Sequence, residues 1–261
     1  MNPYIKVFGV ISCISVLIAL LLSAIRRRTG HGRGEGEVLN GSIFSLFAAL
    51  YAFFLGFCVV TLWGTFGAAK TIVTAEATDL LSAHYLSRSF DEGSGLRKAL
   101  AAYVQCVIND EWPAMDRVSA MHPQAQHLLN QIWDAFRALK PANKEDNTLY
   151  ANLSSLLVDV SRQRGARALY LDGNIYPPIW VILFFGFWGI CVGLFFTNPN
   201  QHPGQTLLEI VVVFTVLSCI YFIYDINTPF SGFLNVPPDA FTNVLNRMAE
   251  MSPGTIPAPA P

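Results

Sequence analysis

The sequence predicts an all-α membrane protein in which four transmembrane helices flank a helical extramembrane domain. The first observation is four long apolar stretches, at residues 5–25, 43–63, 176–196 and 206–224. A helix needs about 20 apolar residues to cross the hydrocarbon core of a bilayer, and each stretch approaches or exceeds that length. The second observation is a polar, periodic segment between the second and third stretches. The spans are therefore expected as two before this segment and two after it.

The composition fits membrane spans joined to one modest polar domain. Hydrophobic residues make up 52% of the chain, and the mean hydropathy is +0.40. The formal net charge of -1 argues against a nucleic-acid partner, which selects a basic surface. Neither phosphate-binding, dinucleotide-binding nor nucleophile motifs occur, and His122 and His127 lack metal-ligand spacing. No enzyme activity, catalytic residue, metal or cofactor is predicted.

The loop after the first stretch predicts the orientation of the chain. Arg26, Arg27, Arg28 and Arg33 lie within residues 26–42. Arginine is enriched in short cytoplasmic loops, so this loop is expected in the cytoplasm. The termini and the helical domain are then expected on the non-cytoplasmic side of the inner membrane. Further arginines before the third stretch pull the other way, but they flank a long domain, where the rule is weak.

The second stretch is expected to continue as a helix that leaves the membrane. No turn signal follows Trp63, because Gly64 and Gly67 are isolated and a helical pattern continues to Ala83. Three amphipathic helices are predicted after it. Their apolar faces are expected to pack on one another and on neighbouring subunits.

Local signals predict where these three helices begin and end. Ser94 is the expected N-cap of the first, and Pro113 is expected to end it. The second is expected to stop before Pro141. The third is expected to be capped at residues 146–148 and to run on through Arg167.

The predicted organisation has four parts. Residues 1–66 form a first transmembrane hairpin, residues 67–175 the helical extramembrane domain, and residues 176–226 a second hairpin. Residues 227–261 are expected to hold a turn, a short helix near 238–250 and a disordered tail rich in proline and alanine.

Short segments along the chain carry a family resemblance. They include Leu-Tyr-Ala-Phe-Phe-Leu-Gly-Phe at 50–57, Glu-Trp-Pro-Ala-Met at 111–115, Pro-Ile-Trp at 178–180 and Pro-Phe-Ser-Gly at 229–232. Through these segments the chain resembles the bacterial bestrophin-like family over residues 42–241. The second and fourth segments are the most specific.

The resemblance implies an oligomeric channel in the lipid bilayer. It implies a homo-oligomer that conducts inorganic anions through a pore lined by the second transmembrane helix and its polar extension. True bestrophins place their domain in the cytosol, opposite to the side that the arginine-rich loop predicts. The alternative function is a non-conducting membrane scaffold or sensor whose helical domain binds a partner.

Five charged residues are expected in one interfacial layer, because the spans enter and leave the membrane beside the domain. Two interpretations remain open. The charges form a vestibule that selects ions at a pore mouth, or they form ion pairs that fasten the domain to the spans. The residues are Glu76, Asp79, Arg164, Arg167 and Asp225.

One face of the second span carries Phe47, Tyr51, Phe54 and Cys58 at helical spacing. By the resemblance, this face could line a pore as a hydrophobic gate that closes by dewetting. The alternative is ordinary packing against lipid or another helix.

The segment after the fourth span predicts a rigid reversal. Pro229 fixes its own φ, and Gly232 permits a turn that other residues resist. Phe230 is expected to wedge beneath the domain, with residues 236–241 beside it. This role is structural rather than ionic.

Two further carboxylates stand out. Glu209 is the one carboxylate inside the predicted spans, and it is either functional or reaches the interface. Glu111 has no partner at a catalytic spacing, so it is interpreted as part of a helix end that Trp112 anchors.

The orientation can be tested by thiol labelling. In a Gly95→Cys variant, an impermeant thiol reagent should label intact cells, because the domain is predicted to be non-cytoplasmic. The unsubstituted protein, with its native cysteines, is the control. Labelling that appears only after lysis would place the domain in the cytoplasm.

Overall fold

This computed structural model describes residues 3–29, 37–197 and 203–251. No strand occurs within these ranges, which confirms the all-α prediction. The α-helices are α1 (Pro3–Thr29), α2 (Glu37–Leu86), α3 (Ser94–Cys106), α4 (Trp112–Val118), α5 (Pro123–Arg137), α6 (Lys144–Ala168), α7 (Pro177–Thr197), α8 (Pro203–Ile226) and α9 (Asp239–Met251). Arg33 and the expected tail at 252–261 lie outside the described residues.

The chain divides into two compact units. One, here called the span unit, comprises Met1–Gly64 and Asn174–Asn227. The other, here called the helical unit, comprises Thr65–Gly173 and Thr228–Pro261. The C-terminal segment after α8 therefore groups with the helices between the spans.

Among the residues that the structure describes, four helical stretches are long and apolar enough to cross a membrane, as the sequence predicts. These stretches are Lys6–Ile25, Gly41–Ser89, Pro177–Phe196 and Gly204–Ile226, and the second of them runs three residues past the end of α2. Within the span unit, α8 packs on both α1 and α7. The predicted continuation of the second span is also confirmed, because α2 is one helix of 50 residues. At 1.5 Å per residue it is about 75 Å long, far more than a bilayer core requires.

A glycine groove on α7 receives aromatic rings from α2. A Cβ added at Gly186 would collide with the Tyr51 ring, one at Gly189 with Phe47, and one at Gly193 with the Phe44 ring. Small residues allow such close helix approach in membranes, where packing rather than the hydrophobic effect holds helices together. The two helices run antiparallel along this contact, since the α2 numbers rise as the α7 numbers fall.

The helical unit corrects three predicted helix ends. Pro113 does not end the first domain helix, because a π-helical turn at Val107–Glu111 joins α3 to α4. A π-helical turn departs from the regular α-helical hydrogen-bond pattern. It therefore helps to accommodate proline, which has no backbone N–H to donate. Ser94 is the first residue of α3 and makes no side-chain cap. The N-cap of α6 is Asn143, whose side chain accepts a hydrogen bond from the Asp146 amide.

The segment after α8 folds back on the core of the helical unit. Gly232 has φ of 92°, in the left-handed region that favours glycine. The Val236 amide then donates to the Pro229 carbonyl at 2.8 Å. Phe230 is 2% exposed and meets the Trp112 ring edge-on at 5.8 Å between centroids. The Phe241 ring also packs against Trp112, with 5.5 Å between the two ring centroids.

Truncation of Phe230 should destabilise the helical unit. Phe230→Ala removes a buried ring and leaves a cavity beside Trp112, which typically costs about 3–5 kcal/mol. Thermal unfolding in detergent should show a lower midpoint than for the unsubstituted protein. Phe233→Ala is the matched control, because Phe233 is 43% exposed. Equal midpoints for the two variants would contradict a structural role for Phe230.

Candidate functional site

Arg167 of α6 binds two carboxylates inside the helical unit. Its Nε donates to Glu76 Oε2 at 3.0 Å, and its Nη2 donates to Glu76 Oε1 at 3.1 Å. The same Nη2 donates to Glu111 Oε1 at 2.8 Å. All three side chains are 0% exposed. The forked guanidinium therefore joins α2, the π-helical turn and α6 at one point.

Arg164 and Tyr103 complete this arrangement. Arg164 Nη2 donates to Glu111 Oε2 at 2.7 Å, and its Nη1 donates to Gln126 Oε1 at 2.6 Å. The Tyr103 hydroxyl donates to Glu76 Oε1 at 2.7 Å. We call Glu76, Tyr103, Glu111, Arg164 and Arg167 the buried charge network. Its two arginines balance its two carboxylates, as burial of charge requires.

Arg167 and Tyr103 hold their protons firmly in this network. Burial opposes the charge on Arg167, but Glu76, Tyr103 and Glu111 outweigh it and raise the pKa of the guanidinium above its ordinary value. Burial, and then the Glu76 carboxylate, raise the pKa of Tyr103 well above its ordinary value. Tyr103 therefore remains a hydrogen-bond donor over the physiological range. The ion pairs and hydrogen bonds of this network join α2, the π-helical turn and α6.

The π-helical turn places two successive residues in the core. Glu111 is 0% exposed and Trp112 is 7% exposed. Trp112 Nε1 donates to the Val236 carbonyl at 3.0 Å, and the Arg167 guanidinium lies 5.2 Å from the Trp112 ring centroid. An aromatic face at this distance favours a cation. The anchoring expected of Trp112 thus involves both the C-terminal segment and the network.

The five charges expected in one layer occupy different settings. Glu76 pairs with Arg167, while Arg164 pairs with Glu111. Asp79 accepts from Gln163 Nε2 at 2.9 Å. Asp225 belongs to the span unit, near the end of α8, and is 5% exposed. A shared layer that includes Asp225 stays a prediction.

The predicted gate face packs inside one protomer. Tyr51 is 6% exposed, and its hydroxyl donates to the Leu183 carbonyl of α7 at 2.7 Å. The ring of Phe47 stacks on that of Tyr51 at 6.3 Å. Cys58 is buried and Phe54 is half-buried. These contacts make the face a helix–helix contact, and a gating role for it stays a prediction.

A different face of α2 is exposed. In the span unit its large apolar residues are 61% to 76% exposed. In the helical unit its exposed side carries threonines whose hydroxyls donate to carbonyls one turn earlier. The residues are Leu46, Leu50, Phe53, Phe57 and Val60 in the span unit, and Thr71, Thr74 and Thr78 in the helical unit.

Glu209 is 3% exposed in the span unit, so its side chain is enclosed by the protein. In the described part of the chain, no three His, Cys, Asp or Glu side chains come together as a metal ion requires.

Comparison with known proteins identifies the family. The model of the bestrophin-like domain matches residues 11–241 of the 261-residue chain. The chain belongs to the bestrophin-like family. Among curated protein sequences, none matches this bestrophin-like protein.

Solved structures share the fold of this bestrophin-like protein. A point mutant of a bacterial bestrophin homologue from Klebsiella pneumoniae superposes with a TM-score of 0.75 at 14% identity, covering 94% of this chain and 99% of that one. A further structure of that homologue gives 0.71 at 12% identity, covering 92% and 97%. A structure described only as a membrane protein gives 0.75 at 13% identity, covering 94% and 98%. At these identities the similarity concerns the fold.

Sequence reasoning missed the partners of Glu111. No partner at a catalytic spacing lies nearby in sequence, and both cations that pair with Glu111, Arg164 and Arg167, lie more than 50 residues away. A signal was present, because Glu111 follows Val104 and Val107 at helical spacing on an apolar face. A carboxylate on such a face requires a cation inside the core.

Removal of Arg167 should destabilise the protein strongly. Arg167→Ala leaves Glu76 and Glu111 buried with less compensation, which typically costs about 3–5 kcal/mol. The unfolding midpoint in detergent should fall, and adding Glu76→Gln should restore part of the loss.

Arg162→Ala is the matched control on the same helix. Arg162 is 72% exposed and pairs with Asp159 on the surface, so its loss should cost under about 1 kcal/mol. If Arg167→Ala were no more destabilising than Arg162→Ala, the network would not stabilise the fold.

Proposed function

We propose that this protein is a homo-oligomeric channel of the bestrophin-like family that conducts small inorganic anions across the bacterial inner membrane. In the proposal, the second transmembrane helix and its extension line the pore. The observation that supports it is the exposed face of α2. The helical unit is proposed to lie on the non-cytoplasmic side, on the evidence of the arginine-rich loop.

The helical-unit part of this face is unusual for a helix surrounded by water. A solvent-facing helix normally carries charged residues opposite its apolar side. Here that side carries Gly67, Ala68, Thr71, Thr74 and Thr78, all exposed in the single protomer. Small, uncharged side chains suit close approach of several copies around an axis. Their threonines offer polar atoms to a narrow aqueous path.

The span-unit part of the face is apolar and bulky. Phe53 is 76% exposed, Phe57 61% and Val60 72%. These positions follow the same 3.6-residue period as Thr71, Thr74 and Thr78 along one helix. Rings of such side chains around an axis would form the hydrophobic constriction that gates by dewetting.

Two faces of α2 are thus candidates for the gate. The face of Tyr51 and Cys58 already contacts α7 within the protomer, and Tyr51 uses its hydroxyl there. The face of Phe53, Phe57 and Val60 is free for contact with other copies or with lipid. We therefore propose the exposed face as the gate and keep the enclosed face as its competitor.

Conductance and thiol block test the proposal together. Liposomes that contain the purified protein should release chloride faster than liposomes without protein. A water-soluble thiol reagent should reduce the conductance of Phe57→Cys and of Val60→Cys, because the added group would occupy the pore.

Phe54→Cys is the matched control, three residues before Phe57 and on the competing face. Block at Phe54→Cys but not at Phe57→Cys would assign the gate to the competing face. No flux from a correctly folded protein would favour the non-conducting scaffold or sensor. The unsubstituted protein, treated with the same reagent, controls for native cysteines.

A further inference from the structure

Between Gly41 and Leu86, the exposed side of α2 carries a single formal charge. Between Gly41 and Leu86 the charged residues, histidine aside, are Lys70, Glu76 and Asp79. Glu76 is 0% exposed and Asp79 is half-buried, whereas Lys70 is exposed. Every other exposed residue on this stretch of the helix is apolar, small or hydroxylic.

The two carboxylates that follow Lys70 on α2 accept hydrogen bonds from residues other than Lys70. The Glu76 carboxylate accepts from Arg167 and Tyr103. The Asp79 carboxylate accepts from Gln163. Among the described residues, no carboxylate forms an ion pair with Lys70. Its ammonium therefore acts outward, on whatever surrounds this part of α2.

The position of Lys70 places this charge beside the proposed conduction path. It directly precedes Thr71 and stands one turn before Thr74, both on the exposed face. It also follows Trp63, the end of the apolar stretch, by seven residues, which is about 10 Å along a helix. A flexible lysine stem can carry its charge several ångströms around the helix surface.

We infer that Lys70 determines the charge selectivity of conduction by attracting small inorganic anions to the mouth of the pore. The inference rests on the proposed function, since it requires copies of α2 around a shared axis. Each copy then contributes one ammonium at the same height. Rings of lysine or arginine side chains favour anions in pores. A narrow path lined by charges of one sign raises the local concentration of ions of the opposite sign.

Charge reversal measures the effect directly. The permeability ratio of chloride to potassium is obtained from the reversal potential in a potassium chloride gradient across a planar bilayer. Lys70→Glu should lower this ratio on the order of tenfold, and Lys70→Gln should give an intermediate value. Lys98→Glu is the matched control, because Lys98 is exposed on α3 and the change in net charge is identical.

Chemical modification of one folded protein separates charge from structure. In Lys70→Cys, a thiol reagent that adds an ammonium group should restore the wild-type ratio, and one that adds a sulfonate should lower it further. The unsubstituted protein, treated in the same way, should not change.

The two levels of the proposal fail in different ways. A folded, unsubstituted protein that conducts nothing overturns the proposed function and, with it, this inference. A conducting protein whose permeability ratio is the same in Lys70→Glu, Lys98→Glu and both modified forms of Lys70→Cys overturns the inference alone.

Discussion

The burial of Arg167 between two carboxylates constrains the rest of the helical unit. An isolated guanidinium in a protein core is strongly unfavourable, so Glu76 and Glu111 must both be close at hand. Each lies on a different element, one on α2 and one in the π-helical turn. The hydrogen bonds to Arg167 consequently fix the positions of α2 and of the π-helical turn along α6. A shift of one residue along any of them would bury an unpaired charge.

The same constraint explains why α2 has distinct sides. In the helical unit, Glu76 ties one side of α2 to α6, and in the span unit Tyr51 and Phe47 seat the corresponding side in the α7 glycine groove. Neither attachment uses the opposite side. On that side Phe53, Phe57 and Val60 are exposed in the span unit, and Thr71, Thr74 and Thr78 are exposed in the helical unit. A surface that evolved only to face water would carry more charge than the one lysine found there.

The sequence predicts this fold well where a single physical requirement dominates. Apolar length alone identifies the four spans, and the absence of a turn signal after Trp63 predicts the long α2. The prediction at Pro113 was wrong because local proline rules do not anticipate a π-helical turn stabilised by tertiary contacts. The partners of Glu111 were missed because ion pairs across distant segments leave only an indirect trace: a charged residue at an apolar position. Periodicity likewise finds a face at Tyr51 but does not say which helix covers it.

The pairing of charges inside the helical unit also determines which charges act at its surface. The network pairs two arginines with two carboxylates and so contributes little net field beyond the core. Fields from exposed groups are screened over about 10 Å at moderate salt, so only nearby charges act on an ion beside α2. With Glu76 neutralised by Arg167, the formal charges left on α2 between Gly41 and Leu86 are the exposed Lys70 and the half-buried Asp79, which accepts a hydrogen bond from the neutral Gln163 amide. The interaction that holds the helix in place therefore also neutralises Glu76, the carboxylate nearer to Lys70 along α2, which would otherwise oppose an anion there.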